Sequence, residues 1–122
     1  MAGFNGNPVA RNVRMGAVAC LTGSWAAVHT GATDGTAREL PNRQWVKFQG
    51  RGSDTMRIAV AYVNRNADGT FTTPTYTAHH AIVYPSMAVI EEPIGDNVRV
   101  FVRAVKNGST AGGLKVVVVE YS

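Results

Sequence analysis

Apolar and polar residues alternate along much of this chain with the period of two that marks a β-strand. The clearest run is Met56 to Val63, where Met56, Ile58, Val60 and Tyr62 fall on one side and Arg57, Ala59, Ala61 and Val63 on the other. The first set is expected to face a core. Similar runs place strands near residues 17–21, 25–29, 44–49, 55–63, 78–84, 87–90, 98–106 and 114–121. Gly, Pro, Asn and Asp separate them at the roughly 8 to 12 residue spacing of sandwiches and barrels. No stretch longer than about ten residues keeps a helical period. The pattern therefore predicts an all-β, single-domain antiparallel β-sandwich or jelly roll of about eight strands, with the strand order left open between jelly-roll and immunoglobulin-like arrangements.

The first residues differ from the rest. Residues 1–15 contain Gly3, Gly6 and Pro8 and hold no β-branched residue before Val9, so they read as an extended arm ahead of a β-sandwich body over 16–122. Ordering such an arm costs on the order of 1 kcal/mol or more per residue, which a neighbouring surface would have to offset.

At the other end, the runs at 98–106 and 114–121 flank the turn-rich segment 107–113 and are expected to form a hairpin. Val98, Val100, Val102, Ala104, Leu114, Val116 and Val118 would supply its inner face. The opposite face would carry Arg99, Phe101, Arg103, Val105, Lys115, Val117, Val119 and Tyr121. Phe101, Val105, Val117, Val119 and Tyr121 together would make an apolar patch of several hundred Å², more than an isolated monomer normally exposes. With Arg99 and Arg103 they form the candidate assembly interface. A second layer, the N-terminal arm or a neighbouring subunit could cover it.

Composition narrows the functional classes. The chain has 122 residues, 45% of them apolar and 16% charged, which suits one folded domain rather than a disordered segment. Its net charge of +4 is scattered rather than clustered, so direct nucleic-acid binding is not expected, although Arg99, Phe101 and Arg103 share a face. The lone Cys20 rules out an intrachain disulfide and reads as a small core residue. The N-terminus lacks the apolar run of a signal peptide, and the longest valine block, Val116 to Val119, is far too short for a membrane helix, so a soluble chain without membrane contact is expected.

Candidate chemistry is sparse. His79 and His80, or Glu91 and Glu92, could serve as acid and base or bind a metal, but adjacent strand residues point to opposite faces. His29 could add one ligand to a histidine, and a third is not evident. Ser24 lies outside any nucleophile-elbow pattern, and the glycines form no phosphate loop. Asp34, Asp54, Asp68 and Asp96 sit beside Gly or Ser and read as turn formers rather than calcium ligands. No catalytic residue, metal, cofactor or small-molecule substrate is therefore expected. Trp25, Trp45 and Tyr76 leave room for a glycan-stacking surface.

One stretch carries a resemblance. Arg38, Glu39, Leu40, Pro41, Asn42, Arg43, Gln44, Trp45, Val46, Lys47, Phe48 and Gln49, then Gly50 to Ser53 and Met56 to Val60, resemble an element of small virion proteins of tailed bacteriophages. There a Leu-Pro, a basic residue, an apolar alternation, a Gly-Ser turn and a second alternation make two adjacent strands of a β-sandwich. The resemblance covers about a quarter of the chain. It implies a non-enzymatic capsid decoration or cement protein on the virion surface, made in the host cytoplasm. Its partners would be copies of itself, a trimer being one such oligomer, and the major capsid protein. A carbohydrate-binding module and a neck or tail component are the alternative expectations.

Overall fold

The computed structural model describes residues 12–51, 56–75, 81–105 and 113–122. They form eight strands and one helical turn: β1 (Val13–Leu21), β2 (Ala26–Val28), α1 (Gly31–Asp34), β3 (Trp45–Arg51), β4 (Arg57–Asn64), β5 (Ile82–Pro85), β6 (Val89–Glu92), β7 (Val98–Val105) and β8 (Gly113–Tyr121). Two four-stranded sheets result, with orders β1-β8-β3-β6 and β2-β7-β4-β5, and every pairing is antiparallel. They are called sheet A and sheet B below.

The pairing has a simple logic. β1 pairs with β8, β2 with β7, β3 with β6 and β4 with β5, as in one long hairpin whose tip is the β4–β5 connection. Rolling that hairpin up adds the β3–β8 and β4–β7 ladders and places successive hairpin rungs in alternate sheets. This is the jelly roll, so the choice between jelly-roll and immunoglobulin-like order falls to the former.

Alternation explains why these residues make these layers. β3 buries Val46, Phe48 and Gly50 and turns Trp45, Lys47, Gln49 and Arg51 the other way. β8 buries Leu114, Val116 and Val118 in the same manner, and β7 adds Val100, Val102 and Ala104 from the facing sheet. Met56, Ile58 and Val60 face the core as expected, whereas Tyr62 sits at the rim. There its hydroxyl donates to Glu92 Oε1 at 3.2 Å, tying sheet B to sheet A. Loop aspartates build turns: Oδ1 of Asp34 accepts from the amide and hydroxyl of Thr36, and Oδ1 of Asp68 from those of Thr70. Gly69 takes a φ of +89° in the second of these turns, a conformation that favours glycine.

Four expectations need correction. β7 and β8 do not pair as a hairpin; they belong to opposite sheets, and the turn-rich segment between them links the two layers. Turn residues mark a change of direction, which serves an inter-sheet crossing as well as a hairpin. β1 starts at Val13, four residues before the expected strand, because Val13, Arg14, Met15 and Gly16 pair with Tyr121, Glu120, Val119 and Val118. Three residues assigned to the arm thus belong to the sheet, and residues 1–11 lie outside the described residues. Finally, β3 and β4, the two strands of the resembling stretch, are not neighbours in one sheet but lie in different ones. The short helical turn α1 was not expected, its four residues being too few to show a period.

Gly50 marks where the β5–β6 turn crosses between sheets. A Cβ there would collide with the Ser86 carbonyl oxygen and lie 2.5 Å from Leu114 Cδ1 and 2.7 Å from Ile58 Cδ1. Gly50→Ala is expected to lower stability by about 1–3 kcal/mol through overpacking. Gly23→Ala, where a Cβ meets nothing within 4 Å, should leave it nearly unchanged, and urea unfolding of the two variants measures the contrast.

Candidate functional site

The two outer faces of the sandwich differ sharply. On sheet B, Phe101 of β7 points outward yet is only 3% exposed, and Ala59 and Ala61 beside it on β4 are also buried. Part of the cover is visible in the segment after β4. Phe71 from that segment lies against the guanidinium groups of Arg99 and Arg65, at 4.5 and 4.7 Å from its ring centroid. Arg99 also binds Glu39 through two nitrogens at 2.7 and 3.0 Å, and Arg103 donates to the Thr22 carbonyl at 2.8 Å. The basic and aromatic stripe read from sequence is thus held by the chain itself.

Sheet A is bare. The register sets its outer face out in rows: Val13, Tyr121 and Trp45; then Met15, Val119, Lys47 and Glu91; then Ala17, Val117, Gln49 and Val89; then Ala19, Lys115 and Arg51; and Leu21 at the end of β1. Met15 is 65% exposed, Val13 56%, Val89 54%, Leu21 49% and Trp45 42%. Val117, Val119 and Tyr121 are half-buried among them. Apolar side chains fill the β1–β8 half apart from Lys115, while the β3–β6 half mixes in Lys47, Gln49, Arg51 and Glu91. Scattered exposed apolar residues are ordinary, but these lie side by side along β1 and β8 and across to Trp45 on β3.

The sequence-derived interface is therefore split. Val117, Val119 and Tyr121 lie on the outer face of sheet A, whereas Arg99, Phe101, Arg103 and Val105 lie on that of sheet B, on the far side of the core. They cannot form one patch. What sequence reasoning missed was the first four residues of β1 and the strand's part in the face, which its Val13, Met15 and Leu21 complete. Its Gly16 and Arg14 diluted the strand signal.

Beneath the β1 end of sheet A sits a buried charged node. Glu120 takes the next inward position on β8 after Leu114, Val116 and Val118, and its side chain is fully buried. Oε1 accepts from the Thr30 amide at 2.6 Å and the Thr30 hydroxyl at 2.5 Å. Oε2 accepts from the Leu40 amide at 3.0 Å and from Arg43 Nη1 at 2.9 Å. Arg14, opposite Glu120 in the β1–β8 ladder, reaches Oε1 at 3.5 Å and also binds the Thr30 hydroxyl, Asp34 Oδ2 and the Arg38 carbonyl. The equally buried Arg43 donates to the carbonyls of Ile94, Gly95 and Val98. Burial by itself would raise the Glu120 carboxyl, but the hydrogen bonds from Thr30, Leu40 and Arg43 outweigh it and hold the group below the usual carboxylate range. The hydroxyl and amide of Thr36, then Arg14, do the same for the exposed Asp34.

Other candidate residues are spread apart. His29 is buried, its Nδ1 has no hydrogen-bond partner among the described residues, and burial pushes its pKa down despite the nearby Glu39. Cys20 is a core residue whose thiol burial pushes up to about 12. Glu91 and Glu92 point to opposite sides of β6, the first toward Lys47 across the outer face and the second toward Tyr62. Trp25 is half-buried. His79, His80, Tyr76 and Asp54 lie outside the described residues. Among the described residues, no three His, Cys, Asp or Glu side chains are placed to hold a metal ion. A cleft of about 520 Å³ opens between Arg38, Arg65, Phe71, Asp96 and Arg99, but Arg65 is turned onto the Gly69 and Asp96 carbonyls and Arg99 onto Glu39. No protein-family model, curated protein or solved structure matches this chain.

Two predictions follow from the node's electrostatics. Glu120→Gln leaves Arg43 buried without its counter-charge and is expected to cost about 3–5 kcal/mol, read as a lower urea midpoint. Acid should destabilise the protein in two stages. The unfolded His29 titrates near 6.5 and the folded one lower, so the unfolded chain binds more protons between these values and stability falls as pH drops below 6.5. Glu120 adds stability that is present above its unfolded value of 4.5 and is lost as pH falls through its lower folded value. Unfolding midpoints measured across this range should lose the first stage in His29→Phe and keep the second.

Proposed function

We propose that this protein is a non-enzymatic structural component of a bacteriophage virion, a decoration or cement protein that seats the outer face of sheet A on a subunit of the capsid lattice. The observation that carries this reading is the apolar face built by Val13, Met15, Leu21, Trp45, Val117, Val119 and Tyr121, left uncovered among the described residues, on a molecule whose other outer face is covered at Phe101. The jelly roll is shared by viral capsid, lectin and cupin domains, which is compatible with this role without assigning it. The resemblance of residues 38–60 to small phage virion proteins points the same way at the level of sequence alone, since its two strands lie in different sheets. In this reading the β1–β8 half excludes water at the contact, and Lys47, Arg51 and Lys115 form its polar rim.

A second reading has one feature in its favour, the exposure of Trp45 on the same face, since an indole stacks well on a sugar ring. Its neighbours in the row are Val13 and Tyr121, and these supply few of the polar groups that fix a glycan's orientation.

Co-sedimentation with shells assembled from whatever major capsid protein the same genome encodes tests the first reading. Val119→Lys, at the centre of the face, should weaken binding at least tenfold, about 1.4 kcal/mol, with no loss of fold. Failure of the unaltered protein to bind, or undiminished binding by Val119→Lys, would overturn it. Quenching of Trp45 fluorescence by oligosaccharides would favour the glycan reading instead.

A further inference from the structure

The fold leaves four strands at sheet edges, and they are not alike. β2 has three residues, β5 has four and ends in Pro85, and β6 has four with Glu91 and Glu92. Short length, proline and charge are the usual means of keeping an edge from pairing. β1 has none of them. It runs nine residues in unbroken register with β8, and it contains no proline or lysine. Its one charge, Arg14, is turned inward and held by Thr30, Asp34 and Glu120.

The phase of the ladder decides what this edge offers. The amide of Ser122 donates to the Asn12 carbonyl at 3.0 Å, so Asn12 and every second residue after it direct their backbone groups to β8. The amides and carbonyls of Val13, Met15, Ala17, Ala19 and Leu21 therefore point away from the sheet. These same residues carry the side chains of the apolar outer face.

We infer that β1 pairs antiparallel with β1 of a second copy of this chain about a two-fold axis at Ala17, joining the two A sheets into one eight-stranded sheet. The strand is complementary to itself in that register. On the outer face Val13 meets Leu21 of the second copy, Met15 meets Ala19, and Ala17 meets Ala17. On the inner face Arg14 meets Cys20 and Gly16 meets Val18, so no charge faces its like. A two-fold contact requires such self-matching of one surface, and a nine-residue strand centred on a small residue provides it. The two apolar faces then become continuous. The inference rests on reading sheet A as an assembly surface and adds the partner of its edge.

Cysteine cross-linking of the full-length chain tests the register. The buried Cys20 thiol, pushed up to about 12, is unreactive, so added surface cysteines report alone. Under mild oxidation, Val13→Cys mixed with Leu21→Cys should give a disulfide-linked dimer. Either variant alone should give none, because equivalent positions lie roughly 27 Å apart across the axis at about 3.4 Å per residue. Sedimentation of the unaltered chain should show a concentration-dependent dimer. Ala17→Pro, which removes an outward amide where an edge strand tolerates proline, should return it to monomer. A monomer at every concentration, a dimer indifferent to Ala17→Pro, or cross-linking of Val13→Cys alone would overturn the inference. Val119→Lys lies one strand in from the edge; if it abolishes lattice binding while the dimer persists, or the dimer fails while lattice binding survives, the two readings are separated.

Discussion

A single buried carboxylate holds the crossings of this jelly roll in place. Glu120 is the point at which β1, β8, the β2–β3 connection and the β6–β7 connection meet. Through Thr30 and Leu40 it anchors both ends of the segment that passes from sheet B to sheet A. Through Arg43 it reaches the carbonyls of Ile94, Gly95 and Val98, where the chain passes back. An ion pair of this kind contributes little net stability over well-packed apolar residues, because desolvation cancels most of the attraction. Its effect is on specificity. A strand slipped by one residue would turn Glu120 to the outer face and leave Arg43 buried alone, so the correct register is separated from its neighbours by a large penalty.

That register is what makes the two outer faces so different. With the inner positions of β8 fixed, Val117, Val119 and Tyr121 must face outward, and with Arg14 held inside, Val13, Met15 and Leu21 must join them. Sheet B solves the same problem internally, burying Phe101, Ala59 and Ala61 and stacking Arg65 and Arg99 on Phe71. Sheet A has no comparable cover among the described residues. The same node that secures the interior therefore presents an apolar layer to the outside, with β1 held at the sheet edge through Arg14. The buried node and the exposed apolar face thus follow from one and the same register.

The histidine beside this node links it to pH. His29 lies among Glu39, Arg99, Glu120 and Arg14, whose charges act on it in opposite directions, and burial is the leading influence. A neutral imidazole is the form the folded protein favours. Acid therefore acts first on the end of the sandwich where β1 is anchored, before the carboxylates themselves are protonated.

The sequence by itself determined the fold class, the positions of all eight strands to within a few residues, and which face of β4, β7 and β8 is inward. Those features follow from local alternation and turn chemistry, which any short stretch displays on its own. It also carried the turn roles of Asp34 and Asp68 and the apolar half-face of Val117, Val119 and Tyr121. Strand order lay beyond it, because the turn-rich residues after β7 serve a hairpin and an inter-sheet crossing equally. So did the node, since Arg14, Arg43 and Glu120 look like surface charges until the roll brings positions over a hundred residues apart, such as Arg14 and Glu120, into contact. Only tertiary structure decided that Phe101 is covered and Met15 is not, because burial is a property of what the rest of the chain lays across a face, and no local pattern records it.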